Sequence, residues 1–189
     1  TTPHEYKLIT ELADLQALVA QLQGYKEICF DTETTGFDYF RDRIVGMSFA
    51  VKAHEAWYVS FTPENTKAFA EVVRPLFENE SIVKVAQNIK FDLMVLSRLG
   101  IEVKGRKIDT MILHYLLDAE SRHGMDALAE RYLNYSPISI ETLIGKGYGW
   151  RRASCGVCSR GCRYYFAALQ HSATFVGAGA VVTKTLPRG

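Results

Sequence analysis

The chain has 189 residues, 48% of them hydrophobic and 23% charged, with a formal net charge of +1. That composition excludes wholesale disorder, and no apolar run approaches the roughly 18–20 residues of a membrane span, so no membrane partner is expected. The overall charge points to neither a strongly basic nucleic-acid binder nor an acidic tail.

The elements alternate from the start. Tyr6–Ile9 predicts a short strand, and Glu11–Gln23 a helix, with Leu12, Leu15, Leu18, Val19 and Leu22 at helical spacing and Gly24 at its end. Glu27–Asp31 is an apolar strand that runs into Thr32-Glu-Thr-Thr-Gly36. Ile44–Val51 and Ala56–Phe61 are rich in Val, Tyr, Phe and Trp and predict two strands of a hairpin. Asn65–Glu78 is helical by pattern, Ile82–Val85 a short strand and Ile89–Leu99 a helix. Thr110–Leu117 and Met125–Tyr132 predict two more helices. Strands in succession followed by strand–helix alternation predict an α/β layer fold with a mixed sheet.

Character changes near residue 147. Up to Gly147 there are 16 Lys and Arg against 21 Asp and Glu. The 42 residues from Tyr148 to Gly189 hold six basic residues, no acidic one and three of the four cysteines. We therefore expect a domain over 1–147 and an atypical, poorly packed tail over 148–189. The start, Thr1-Thr-Pro-His-Glu-Tyr6, lacks the basic and apolar regions of a signal peptide, so a cytoplasmic location is expected. It also lacks an initiator Met, and we read the chain as cut from something longer.

Two acidic clusters stand at the ends of elements. Asp31 and Glu33 are two apart where an apolar strand runs out, so they share a face. Two carboxylates held close repel unless a proton or a cation sits between them, and oxygen-only ligands suit Mg²⁺ or Mn²⁺. The bland alternative is a turn, since Thr34-Thr35-Gly36 is rich in turn formers. In the second cluster, Gln87-Asn-Ile-Lys-Phe-Asp92, Asn88 and Asp92 are four apart, on one face of the predicted helix. A carboxylate among Phe91, Leu93, Met94, Val95 and Leu96 needs a partner. Taken alone, it could instead be an aspartate interacting with the helix dipole. Both clusters follow strands and could converge at one edge of a sheet.

Phe30-Asp-Thr-Glu-Thr-Thr-Gly36 and Gln87-Asn-Ile-Lys-Phe-Asp92 resemble the first and second motifs of the DEDD 3′–5′ exonucleases, in particular the proofreading-type domain of bacterial family A DNA polymerases. Val45-Gly-Met-Ser-Phe-Ala50, Asp109-Thr-Met-Ile-Leu113, Arg122-His-Gly-Met-Asp-Ala-Leu-Ala-Glu-Arg-Tyr-Leu133 and Ile144-Gly-Lys-Gly147 resemble further segments of that domain, in order. The resemblance covers about residues 5–147. It implies an RNase H-like fold, a mixed β-sheet flanked by helices, and hydrolysis of 3′-terminal phosphodiesters to nucleoside 5′-monophosphates. It also implies that Asp31, Glu33 and Asp92 are catalytic and bind two divalent cations, Mg²⁺ or Mn²⁺. Thr34 and Phe37 would border the 3′-terminal nucleotide, and Gln87 and Asn88 the path of the strand. The implied partners are a single-stranded DNA 3′ end and the polymerase domain of a parent chain. Two other readings are a non-catalytic module of a polymerase and a stand-alone ribonuclease similar to RNase D.

The family also carries a third motif, Tyr-x-x-x-Asp, and no Tyr in this chain has an Asp four residues later. One coding string permitted for Val157–Ala167, read from one base later, spells Tyr-Ala-Ala-Glu-Asp-Ala-Asp-Ile-Thr-Leu, which resembles that motif. We therefore expect the tail to be a frameshifted reading of the genuine C-terminus. On that expectation Cys155, Cys158 and Cys162, whose spacing resembles a zinc or iron–sulfur site, bind nothing by design. His114 is expected on a helix, and His123, within a segment that resembles the family, is read as a structural residue before one that approaches the substrate. Trp57 and Tyr58 are expected to be sheet packing.

Overall fold

A computed structural model describes residues 5–36, 38, 40–52, 55–124, 127, 128, 130 and 131. The elements in chain order are β1 (Glu5–Ile9), α1 (Leu12–Leu22), β2 (Glu27–Thr34), β3 (Ile44–Lys52), β4 (Glu55–Ser60), α2 (Thr66–Glu78), β5 (Val83–Ala86), α3 (Ile89–Arg98), β6 (Lys107–Asp109) and α4 (Thr110–Leu117). Half of the expected helix over Met125–Tyr132 falls outside the described residues; Ala127, Leu128, Glu130 and Arg131 are helical. The boundary expected near residue 147, the tail and its three cysteines also lie outside them.

The strands form one mixed sheet in the order β1-β4-β3-β2-β5-β6. The middle is an antiparallel meander of β2, β3 and β4; β1 joins β4 in parallel, and β5 and β6 extend the other side in parallel. Helices flank the sheet, the α/β class that the alternating pattern predicts. Leu15, Leu18, Val19 and Leu22 of α1 are buried, whereas Leu12, at the first helical position, stays exposed. In α2 the buried stripe is Phe69, Ala70, Val73, Leu76 and Phe77. Phe77 meets Phe30 of β2 edge to face, with ring centroids 4.9 Å apart. Burying such a side chain fully stabilises the fold by about 1.5–3 kcal/mol, which anchors the strand carrying the first acidic cluster. Trp57 and Tyr58 are buried in the sheet, as expected for packing residues.

Two features differ from the sequence reading. Strand β2 runs on to Thr34 instead of stopping at Asp31, because Asp31, Thr32, Glu33 and Thr34 stay paired with Ser48, Met47, Gly46 and Ile44 of β3, with a bulge between Glu33 and Thr34. β6 was not anticipated: three residues are too few to show a period.

Candidate active site

Strand β5 accompanies β2 only over Glu27, Ile28 and Cys29. Past Cys29 the chain of β5 turns into α3, and the amide of Thr32 meets a side chain where a neighbouring strand would have been. That side chain is Asp92. Its Oδ1 accepts from the Thr32 N–H at 2.8 Å and from the Thr32 hydroxyl at 2.6 Å. Thr32 lies between Asp31 and Glu33, so the second acidic cluster is tied to the middle of the first. Asp92 is 2% exposed and Glu33 7%, while Asp31 is half-buried.

The electrostatics carry the mark of this crowding. Burial pushes the Asp92 carboxyl up to about 7, against the two Thr32 hydrogen bonds, which favour the ionised form, and with a smaller upward push from Asp109. The buried Cys29 thiol is raised well above its ordinary value, first by desolvation and then by the charges of Asp31, Asp92 and Glu27. Ser48, opposite Asp31 in register, is fully buried, and its hydroxyl meets no hydrogen-bond partner among the described residues.

The other expected site residues are placed as follows. Thr34 is buried and its hydroxyl donates to the Gly36 carbonyl at 2.5 Å, shaping the turn out of β2. Asp42 fixes the rest of that loop, accepting from the Thr35 hydroxyl at 2.9 Å and the Asp38 N–H at 2.8 Å. Phe37, carried by the same loop, lies outside the described residues. The Gln87 amide is spent within the protein: its Nε2 donates to the His123 carbonyl at 2.8 Å and its Oε1 accepts from the Thr110 hydroxyl. His123 in turn contacts His114 of α4, with their Nδ1 atoms 2.7 Å apart.

Asn88 does not share a helix face with Asp92, as their spacing suggested. The helix begins at Ile89, and Asn88 precedes it in the left-handed conformation, φ 58° and ψ 48°. Asn88 is exposed, whereas Asp92 is buried. A contributor whose role the sequence did not reveal is Asp109, whose carboxylate accepts the backbone N–H groups of Asn88 and Ile89. A short polar residue just before a predicted helix was a legible capping signal for α4; nothing in the sequence tied it to α3.

The donor set suits a hard divalent cation, since Asp31, Glu33 and Asp92 offer only carboxylate oxygens from two adjacent elements. They do not close a cage by themselves: among the described residues no three His, Cys, Asp or Glu side chains stand close enough to hold a metal ion. No helix among the described residues is long and apolar enough to cross a membrane.

Comparison with known proteins identifies the family to which the chain belongs. A family model described as 3′–5′ exonuclease matches residues 6–157. DNA polymerase I of Pseudomonas aeruginosa is 38% identical over 154 residues, which take in 76% of this chain and 17% of that protein. The chain thus spans about a sixth of that relative's length. Among solved structures, Trypanosoma brucei RNase D in complex with RNA U12 superposes with a TM-score of 0.76 at 16% identity, covering 92% of this chain and 62% of that one. Brucella melitensis NrnC with bound Mg²⁺ superposes with a TM-score of 0.68 at 19% identity, covering 94% and 80%. At such identities the structural likeness speaks for the RNase H-like fold alone. With the family match over most of its length and the paired acidic clusters at one end of β2, the chain belongs to the 3′–5′ exonuclease family, in the form found as a domain of bacterial DNA polymerase I.

Proposed function

We propose that this site hydrolyses the 3′-terminal phosphodiester of single-stranded DNA and releases nucleoside 5′-monophosphates, with Asp31, Glu33 and Asp92 holding two divalent cations, Mg²⁺ or Mn²⁺. The observation that carries the reading is the Thr32–Asp92 contact, which ties the second acidic stretch to the residue between Asp31 and Glu33. The Mg²⁺ bound to NrnC and the RNA bound to RNase D are consistent with a metal-dependent site for a nucleic-acid strand on this fold. DNA is the favoured substrate because the curated relative is a DNA polymerase. Bound cations would supply Lewis acidity toward an attacking water and toward the leaving 3′ oxygen. The chain's own residues gather and orient. Thr32 fixes the Asp92 carboxyl, Gln87 ties the segment at His123 to the start of α4, and exposed Asn88 and, by the family resemblance, Phe37 are the residues assigned to border the strand. Contacts of this kind read sugar and phosphate more than base edges. In a longer parent protein in the cytoplasm, the polymerase domain would deliver the strand end.

Residues 148–189 are, on the same proposal, a shifted-frame reading that replaces the Tyr-x-x-x-Asp segment. The family match takes in residues 148–157 and ends where the alternative frame begins to spell that motif, so it supports a shift by residue 157 and not one fixed at 148. The test uses a 5′-labelled single-stranded DNA oligonucleotide with Mg²⁺ or Mn²⁺. This chain should shorten it weakly or not at all, and a repaired-frame chain should shorten it readily from the 3′ end. Asp31→Ala should abolish that activity. A repaired chain that never cleaves would overturn the nuclease reading, and vigorous cleavage by the present chain would overturn the frame reading.

A further inference from the structure

The N-terminal turns of two helices point at one carboxylate. Asp109 Oδ1 accepts from Asn88 N at 3.1 Å, from Met111 N at 2.9 Å and from Ile112 N at 3.3 Å, while Oδ2 accepts from Ile89 N at 3.0 Å. The bonds to Met111 and Ile112 are an ordinary N-cap on α4, within Asp109's own helix. The bonds to Asn88 and Ile89 are different, because they reach back some twenty residues and satisfy the first free amides of α3. Those amides belong to the turn that aims α3. The α3 N-cap makes no side-chain cap bond of its own, and Asn88 is the one non-glycine with positive φ among the described residues. Asparagine tolerates that conformation better than other non-glycine residues, and the two Asp109 bonds fix the backbone there. Asp92 follows one turn later, and its contact with Thr32 depends on where that turn starts.

We infer that Asp109 is a positioning residue for the exonuclease site: its carboxylate locks the β5–α3 turn so that Asp92 meets Thr32 and Asn88 faces the strand path. This rests on the proposed metal site only for its functional consequence; the geometric claim stands on the hydrogen bonds.

The discriminating variant is Asp109→Ser in the full chain. A serine hydroxyl still caps α4 from the N-cap position, but it is too short to serve α3 as well. In ¹⁵N-labelled protein the Thr32 amide resonance should move, and its hydrogen exchange should quicken about tenfold. Helix content should hold. Mn²⁺ affinity, followed by electron paramagnetic resonance, should fall about tenfold, the scale seen when a partner that orients a metal ligand is lost. Val19→Ala on α1 is the control for general destabilisation and should leave the Thr32 amide unmoved. If Asp109→Ser fails to fold, Asp109→Asn, which keeps one acceptor oxygen, should show a smaller Thr32 change in the same direction. A Thr32 amide indistinguishable from the unmodified chain in whichever variant folds would overturn the inference. An unmodified chain that binds no Mn²⁺ would overturn the metal site alone, and the Thr32 readout would still decide the role of Asp109.

Discussion

Asp92 spans sixty residues of sequence to accept both the backbone N–H and the hydroxyl of Thr32 on a single carboxylate oxygen. This contact supports an acid in a place that otherwise opposes ionisation, since burial raises its pKa to about 7. The folded chain therefore holds a proton on Asp92 over a range where the unfolded chain has released it. The stabilising contribution is complete below the ordinary aspartate value of 3.8 and is lost as pH rises through about 7. Asp92→Asn keeps the acceptor oxygen and cannot ionise. Its stability relative to the unmodified chain should climb between pH 4 and pH 8, by on the order of 4 kcal/mol, or about 8–16 °C in Tm. Added Mn²⁺ should raise the stability of the unmodified chain at pH 8 and leave the variant nearly unchanged. Parallel curves for the two proteins would contradict the account.

The Thr32 hydroxyl can be tested separately. Thr32 is 4% exposed, and valine has nearly its shape. Thr32→Val removes one of the two bonds that favour the ionised Asp92 and leaves the backbone bond in place. A hydrogen bond to a charged group contributes about 1.5–3 kcal/mol. The variant should therefore fold, show a steeper loss of stability from pH 4 to pH 8, and bind Mn²⁺ roughly tenfold more weakly. Unaltered Mn²⁺ affinity would mean that Asp92 is held by its helix alone.

The histidine pair makes an opposite prediction on the acid side. His114 and His123 bring Nδ1 to Nδ1 at 2.7 Å, so at most one of the two atoms can carry a proton. Burial, then the neighbouring His123 and Arg131, push His114 below its ordinary value, against the pull of Asp118. A depressed folded value means that the unfolded chain takes up the proton first, so stability should fall as pH drops from about 6.5. His123 also supplies the carbonyl that holds the Gln87 amide. Acid should thus loosen this corner, seen as faster exchange of nearby amides at pH 5.5 than at pH 7.5 after correction for intrinsic rates. His114→Gln should flatten that dependence; a variant retaining the full acid sensitivity would place its origin elsewhere.

Much of this arrangement was legible in the residues, for reasons that also explain the gaps. The helix stripe of Leu15, Leu18 and Leu22 and the aromatic run at Trp57–Tyr58 signal elements because burial imposes a period. Asp31-Thr32-Glu33 hides its strand, because acidic residues at a functional rim suppress the apolar signal while the backbone still pairs with β3. Spacing put Asn88 and Asp92 on one helix face, and only the backbone shows that Asn88 precedes the helix in a left-handed turn. Pairing of β1 with β4 and the reach of Asp109 to α3 are tertiary facts that no local pattern encodes. The ordered motifs were more informative than any single carboxylate, because each has a plausible structural role when taken alone.

Gly46 offers a test of the rigid side of the site. It pairs with Glu33 across the β2–β3 ladder and with Ser60 on β4. A Cβ at Gly46 would overlap the Tyr58 ring, coming within 1.9 Å of its hydroxyl oxygen and 2.3 Å of the adjoining ring carbon. Tyr58 is only 5% exposed, so its ring has little room to retreat. Gly46→Ala must therefore displace either the ring or the strand, at a cost of about 1–3 kcal/mol as for other overpacked positions. If the strand moves, Glu33 moves with it, and Mn²⁺ affinity should fall along with stability. The double variant Gly46→Ala, Tyr58→Leu vacates the ring and should recover both. Recovery of stability without recovery of Mn²⁺ binding would show that the glycine matters to Glu33 directly, through the close approach of the two strands, and not through the packing of Tyr58.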